Sequence, residues 1–108
     1  AFEMAKGSGV TINVDSKRVP LLSDVLELIS QGMLTRGDRN NRTYVGETVK
    51  IAPGVSGEMQ SALFDPQTAG GLLISMTPEN AERFLAEVEG SVIIGDVSAG
   101  GKYCIEVS

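Results

Sequence analysis

The residues with the clearest chemical potential lie in one short segment, residues 65–71, which reads Asp-Pro-Gln-Thr-Ala-Gly-Gly. Pro66 lacks an N–H and biases Asp65 away from helical geometry, so a preceding helix must end here. The hydroxyl of Thr68 and the backbone N–H groups that follow it can form a concave site for an anion. The alternative is a turn or bulge that binds nothing, because Gly-Gly before a strand is common in both. The candidate cofactor-binding residues of this loop are Thr68, Ala69, Gly70 and Gly71.

Other side chains that carry chemistry are scarce. The chain has no histidine and one cysteine, Cys104, so neither a Ser-His-Asp nor a Cys-His arrangement can be assembled. Only Lys102 is near enough in sequence to activate the Cys104 thiol, and we expect a packed side chain instead. The carboxylates are scattered, without the clusters that hold metal ions in phosphoryl transfer. We therefore predict no catalytic residue and no metal ligand within this chain.

A second polar segment, residues 33–43, is predicted to be a loop. It carries Arg36, Arg39 and Arg42 among glycine and asparagine residues. Guanidinium groups bind phosphate through paired N–H donors, so an anion contact is one interpretation of this segment. A charged loop that only contacts water is the other, and the residues alone leave both open.

Size and charge exclude several classes of protein. A chain of 108 residues fits one domain, and 42% hydrophobic residues supply a core without a metal or disulfide. The net charge of −5 disfavours binding to nucleic acid or to an anionic membrane surface. No apolar run approaches the roughly 18 residues of a spanning helix. A single cysteine is typical of a reducing compartment, so we expect a cytoplasmic protein.

Hydrophobic periodicity predicts the elements that position the candidate loop. The helix that starts at Thr77 has the clearest signals, with a cap at Thr77 and a proline at Pro78. Predicted helices cover residues 1–6, 23–31, 56–64 and 78–88, and predicted strands cover residues 10–14, 44–51, 72–76, 92–97 and 103–107. The last two strands are expected to pair as a hairpin. This order predicts an α/β (α+β) fold of one domain, residues 1–108, with a mixed sheet of about four strands flanked by helices.

Two segments resemble selenophosphate synthetases, which are also called selenide, water dikinases. Residues 64–74, Phe-Asp-Pro-Gln-Thr-Ala-Gly-Gly-Leu-Leu-Ile, are similar to the family's DPQTSGGLLI segment, with Ala69 where serine is usual. Residues 3–9 resemble the EMAxGSG helix end of the same enzymes. Gly37 and Asn41 match a GGTxRN-like pattern, whereas Arg36 and Asn40 depart from it. The resemblance adds Asn41 to the candidate cofactor-binding residues.

The resemblance implies the C-terminal domain of the aminoimidazole ribonucleotide synthetase-like superfamily. The whole enzyme would make selenophosphate from selenide, water and ATP with Mg²⁺, releasing AMP and phosphate. Its ATP-binding N-terminal domain would hold the catalytic groups and be the main partner of this C-terminal fragment. We expect the fragment alone to be inactive and to bind neither ATP nor Mg²⁺, and the full-length protein to be a homodimer.

Two alternatives remain at this stage. Other enzymes of the superfamily make purine intermediates, phosphorylate thiamine monophosphate or mature hydrogenases, and an equivalent domain of one of these would keep the fold. The second alternative is a non-enzymatic interaction module that binds a partner through residues 36–42.

Overall fold

Five α-helices and a four-stranded sheet make up the chain, and the structure, a computed structural model, describes residues 1–108. The helices are α1 Phe2–Ser8, α2 Val25–Ser30, α3 Arg36–Val45, α4 Gly57–Phe64 and α5 Pro78–Glu87. The strands are β1 Val10–Val14, β2 Val49–Ile51, β3 Gly95–Ala99 and β4 Ile105–Val107. Short 3-10 helices lie at Ser16–Arg18 and Gly46–Thr48. No helix combines the length and apolar character that crossing a bilayer requires.

The sheet is mixed, with the strand order β2-β4-β1-β3. Strand β4 is parallel to both β1 and β2, whereas β3 is antiparallel to β1. The predicted α/β class and the mixed four-stranded sheet with flanking helices are confirmed. The predicted hairpin is wrong, because β1 lies between β3 and β4 and takes both as neighbours.

Thr11 explains why the last two strands separate. Its side chain is buried, with 3% exposure, and its hydroxyl donates to the carbonyl oxygen of Tyr103 at 2.6 Å. The same hydroxyl accepts from the N–H of Gly101 at 3.2 Å. A Cβ on Gly100 would lie 2.2 Å from the carbonyl oxygen of Gly9, so only glycine fits there. These contacts hold the segment between β3 and β4 across the first residues of β1. Strand β4 therefore pairs with the edge of β1 opposite to the edge that pairs with β3.

The core lies between α4 and one face of the sheet. Side chains alternate across each strand, so Ile12 and Val14 of β1 share the face that Val107 of β4 also occupies. Met59 of α4 packs against this face, and both Met59 and Val14 are 8% exposed. The core cluster is Val14, Val55, Met59 and Val107, surrounded by Ile12, Val19, Ile51, Ala52, Leu63 and Ile105. The opposite face carries polar pairs such as Lys50 with Glu106, whose Nζ and Oε2 atoms are 2.8 Å apart.

Three predicted elements are confirmed: strand β1, helix α4 and helix α5. Strand β1 has the predicted bounds, and Ser56 caps α4 by accepting from the N–H of Met59 at 3.2 Å. Thr77 caps α5 in the same way, with Pro78 in its first turn. The predicted cap at Ser23 is wrong. Helix α2 begins at Val25, and its N-cap residue makes no side-chain cap bond.

The predicted loop at residues 33–43 is wrong, because most of it forms α3. Thr35 accepts a hydrogen bond from the N–H of Asp38 at 3.4 Å and so caps the helix. Helix α3 runs on to Val45 and a 3-10 helix follows it, so the predicted strand over residues 44–51 shrinks to Val49–Ile51. Contacts with α4, described below, outweigh the low helix propensity of glycine and asparagine in this segment.

The predicted buried strand at residues 72–76 is also wrong. Residues 71–77 form neither helix nor strand, and no backbone hydrogen bond joins them to a neighbouring strand. Leu72 is 90% exposed and Ile74 is 47% exposed. Residues 92–94 likewise precede β3 without forming part of it. An apolar run becomes a strand only where another strand offers it backbone partners, and this run has none here.

Candidate functional site

The candidate loop, residues 65–71, leaves the end of α4 and lies on the surface. All of residues 66–71 are exposed, and the N–H of Thr68 donates to the carbonyl oxygen of Pro66 at 3.1 Å. The N–H groups of residues 69–71 have no acceptor within the chain. Neither Gly70 nor Gly71 has a positive φ, and a Cβ on Gly71 would meet nothing within 4 Å. Neither the backbone conformation nor the neighbouring atoms of this chain therefore exclude a side chain at position 71.

Helix α3 holds the first residues of this loop. Asn41 donates from Nδ2 to the carbonyl oxygen of Phe64 at 2.7 Å. A Cβ on Gly37 would lie 2.3 Å from Cγ of Pro66, so the backbone of α3 runs directly against the proline ring. The structure thus places Asn41 at the base of the loop that carries the other candidate residues.

Asp65 connects α3 to the loop itself. The hydroxyl of Thr35 donates to Oδ1 of Asp65 at 2.7 Å, and Nε2 of Gln67 donates to Oδ2 of the same carboxylate. Gln67 continues the connection, because its Cβ lies 3.3 Å from where a Cβ on Gly70 would be. Side-chain hydrogen bonds therefore run from the N-cap of α3 to Gln67, which lies close to Gly70.

Arg42 fixes α3 to α4. Its Nε donates to Oδ1 of Asp38 at 2.6 Å, and its Nη2 donates to the hydroxyl of Ser61 at 3.2 Å. The guanidinium also lies 4.5 Å from the ring centroid of Phe64. Asp38 and Ser61 are 8% and 9% exposed, so this ion pair is partly removed from water. Charge-assisted bonds of this kind are stronger than neutral ones.

The three arginines of the segment therefore have different surroundings. Arg42 is part of the packing between α3 and α4, whereas Arg36 and Arg39 are exposed and form no ion pair within the chain. The segment is not a flexible loop that presents three guanidinium forks together. Only Arg36 and Arg39 stay available to an external anion.

The far end of α3 is attached to α1. The phenol of Tyr44 donates to Oε1 of Glu3 at 2.6 Å, and its ring meets Phe2 edge-on at 5.6 Å between centroids. The hydrogen bond and the negative charge of Glu3 raise the pKa of Tyr44 above 10.0, because the carboxylate disfavours a second negative charge beside it.

Metal ligands do not come together in this chain. No group of three or more His, Cys, Asp or Glu side chains could hold an ion. Cys104 is half-buried and unpaired. Its N–H donates to the carbonyl oxygen of Thr48 at 2.8 Å, and its carbonyl oxygen accepts from the N–H of Ile12 at 2.9 Å. These backbone bonds place Cys104 directly before β4, between β1 and the residue that precedes β2, and not inside the last strand as predicted.

Comparison with known proteins identifies the family. The chain is 36% identical over 108 residues to a selenide, water dikinase of Clostridioides difficile (strain 630), with 94% of the chain and 31% of the relative covered. It is 44% identical over 87 residues to selenide, water dikinase 2 of Peptoclostridium acidaminophilum, with 81% and 24% covered. A selenide, water dikinase of Treponema denticola (strain ATCC 35405) is 42% identical over 87 residues, again with 81% and 24% covered. By sequence, the chain belongs to the selenide, water dikinase family. No protein-family model matches it.

The resemblance carried by residues 3–9 and 64–74 is therefore confirmed as a family relationship. The chain spans about a quarter to a third of the length of these selenide, water dikinases. The family segment at residues 64–74 includes both the free N–H groups and Asp65. Sequence reasoning missed Thr35 and considered Arg42 only as an anion contact, whereas both residues hold this segment in place. The spacing Thr35-x-x-Asp38 is a helix-start signal that could have revealed α3.

Proposed function

We propose that this chain is the C-terminal domain of a selenophosphate synthetase and that it contributes to the phosphoryl-transfer site through its backbone. The whole enzyme would convert selenide, water and ATP to selenophosphate, AMP and phosphate. The names of the relatives favour this reaction over those of the purine, thiamine phosphate and hydrogenase-maturation enzymes. The reactive groups would come from the N-terminal ATP-binding domain, and the complete protein would be a cytoplasmic homodimer.

The observation that carries the proposal is the set of free donors in residues 68–71. Three successive N–H groups, those of Ala69, Gly70 and Gly71, have no acceptor within the chain, and the hydroxyl of Thr68 makes no hydrogen bond there. Donors in this arrangement suit the phosphate oxygens of a nucleotide or of the product. Glycine at Gly71 is not required by φ or by its neighbours, so an approaching ligand or domain accounts for it.

Asn41 has a smaller part in this proposal. Its amide NH₂ already donates to Phe64, which leaves its Oδ1 to accept a bond from a nucleotide hydroxyl or amino group. The exposed side chains of residues 72–74, directly after the loop, would be covered by the N-terminal domain. An apolar stretch beside a ligand loop fits such a domain boundary.

The residues of this chain do not fit a Mg²⁺ site, because no set of oxygen ligands converges. The role proposed for this chain therefore includes no step through the ion. We further propose that the isolated chain neither binds ATP nor turns it over.

The test uses the full-length enzyme with Gly71→Val. A side chain there would meet no atom of this domain within 4 Å, so the fold should survive while the loop's donors are screened. Removing one such donor costs about a hundredfold in well-studied enzymes, and we expect selenide-dependent ATP consumption to fall by about tenfold or more. Gly54→Val is the matched control, since Gly54 is equally free of neighbours and lies in the turn between β2 and α4. Equal rates for the two variants would remove the loop from the mechanism.

A further inference from the structure

The side chain of Asp65 hydrogen-bonds both to Thr35, the N-cap of α3, and to another side chain of the loop. Its two carboxylate oxygens are each occupied by a neutral donor, Thr35 on Oδ1 and Gln67 on Oδ2. No Lys or Arg pairs with it. A carboxylate that receives two side-chain donors of fixed geometry holds both of them in place.

The donors of Asp65 are themselves held. Thr35 is the N-cap of α3, and its hydroxyl oxygen also accepts from the N–H of Asp38. Asp38 in turn pairs with Arg42, which binds Ser61 of α4. On the other side, Gln67 lies against Gly70, next to the free N–H groups. The position of the free N–H groups thus depends on a helix whose N-cap, Thr35, lies 30 residues before Asp65.

We propose that Asp65 is a positioning residue, which with Thr35 and Gln67 fixes the 68–71 loop so that its N–H groups face one ligand. The inference rests on the proposed function of that loop. None of the three side chains needs to touch a substrate. Their effect is on the geometry of the donors, and a misplacement of about 1 Å is enough to reduce the rate strongly.

The first test compares two N-cap threonines in the full-length enzyme. Thr35 and Thr77 each accept one cap bond at 3.4 Å, but only Thr35 also donates to the loop. Thr35→Val and Thr77→Val should therefore lose similar helix-capping energy. We expect Thr35→Val to lower kcat by about fivefold or more relative to Thr77→Val, the factor that one hydrogen bond is worth. Equal kcat values would overturn the inference.

The second test exchanges donor and acceptor, and stays informative if Thr35→Val fails to fold. Gln67→Glu places a second carboxylate opposite that of Asp65, so neither group donates, their bond is lost and kcat should fall by about fivefold. Adding Asp65→Asn restores a bond of the same geometry, with Asn as donor and Glu as acceptor, at the net charge of the unmodified enzyme. We expect the double variant to regain kcat to within about twofold of the unmodified enzyme. A double variant as slow as the single one would refute the positioning role.

These tests separate the two proposals. An unchanged rate in Gly71→Val refutes the role of the loop. A slow Gly71→Val together with Thr35→Val and Gln67→Glu variants that match Thr77→Val refutes only the positioning role of Asp65.

Discussion

Both sides of the 65–71 loop carry apolar side chains, but these side chains are packed differently. Before the loop, α4 is capped and buries Met59 against the sheet. After the loop, Leu72 is 90% exposed and α5 contains no buried residue. The sequence shows which side chains are apolar, but these side chains are buried only where another part of the fold offers an apolar surface to pack against. Helix α4 has the apolar face of β1 and β4, whereas residues 72–74 have no such face within these 108 residues.

The largest expected difference comes from shortening one side chain on each side of the loop. Met59→Ala should cost about 3 kcal/mol of unfolding free energy, because it leaves a cavity in a core of few buried residues. Leu72→Ala should change that free energy by less than about 0.5 kcal/mol, because the side chain is already in water. Urea unfolding of the chain followed by circular dichroism measures both. Similar costs for the two variants would show that residues 72–74 are packed after all.

The elements that the sequence predicts well are those whose signals are local. Helix α5 has its cap at Thr77 and a proline in its first turn, and β1 has a clear alternation. Helix α3 lacks an apolar stripe, and its stability comes from contacts with α4 such as Asn41 to Phe64. The partners of β4 depend on Thr11 and Tyr103, which are 92 residues apart. Contacts between residues so far apart in the chain leave no pattern in a short stretch of sequence.

The residues of the candidate site also differ in whether a local sequence signal reveals them. The loop could be found from its composition, because a hydroxyl and small residues beside a proline are visible in a single short segment. The residues that hold it could not, because Thr35 meets Asp65 across 30 residues and only the packing of α3 on α4 brings them together. Asn41 is a candidate only through the family resemblance, and its place at the loop's base follows from the same packing.

A smaller loss of unfolding free energy is expected when a side chain is added to α3 where it packs against Pro66. Gly37→Ala would place a Cβ 2.3 Å from Cγ and 2.4 Å from Cδ of Pro66, and the rigid ring cannot move without its backbone. Overpacking costs about 1–3 kcal/mol, and the gain in helix propensity returns up to about 1 kcal/mol of it. We expect a net loss of about 1 kcal/mol in urea unfolding.

Gly7→Ala is the matched control for this change. Gly7 is also helical, and a Cβ there would meet nothing within 4 Å. The control should therefore stabilise the chain by up to about 1 kcal/mol. A Gly37→Ala variant that is as stable as Gly7→Ala would mean that α3 does not press on Pro66.

The smallest effect concerns the other end of α3, where Tyr44 meets Glu3. The pKa of Tyr44 lies above its ordinary 10.0 in the folded chain, first because its hydroxyl donates to Glu3 and second because that carboxylate repels a phenolate. A group whose pKa is raised by folding stabilises the fold fully below its unfolded pKa. This contribution is lost as the pH rises through the folded pKa, so the hydrogen bond from Tyr44 to Glu3 should be lost in alkali.

Ultraviolet titration of tyrosinate measures this shift, and Tyr44→Phe assigns the signal by leaving Tyr103 as the only tyrosine. Glu3→Gln should return the pKa of Tyr44 towards 10.0, because an amide carries no negative charge. Glu89→Gln removes the same charge from an exposed position after α5 and serves as the control. Superimposable titration curves for these two variants would show that Tyr44 does not donate to Glu3. The ring contact between Phe2 and Tyr44 would then be the remaining attachment of α3 to α1.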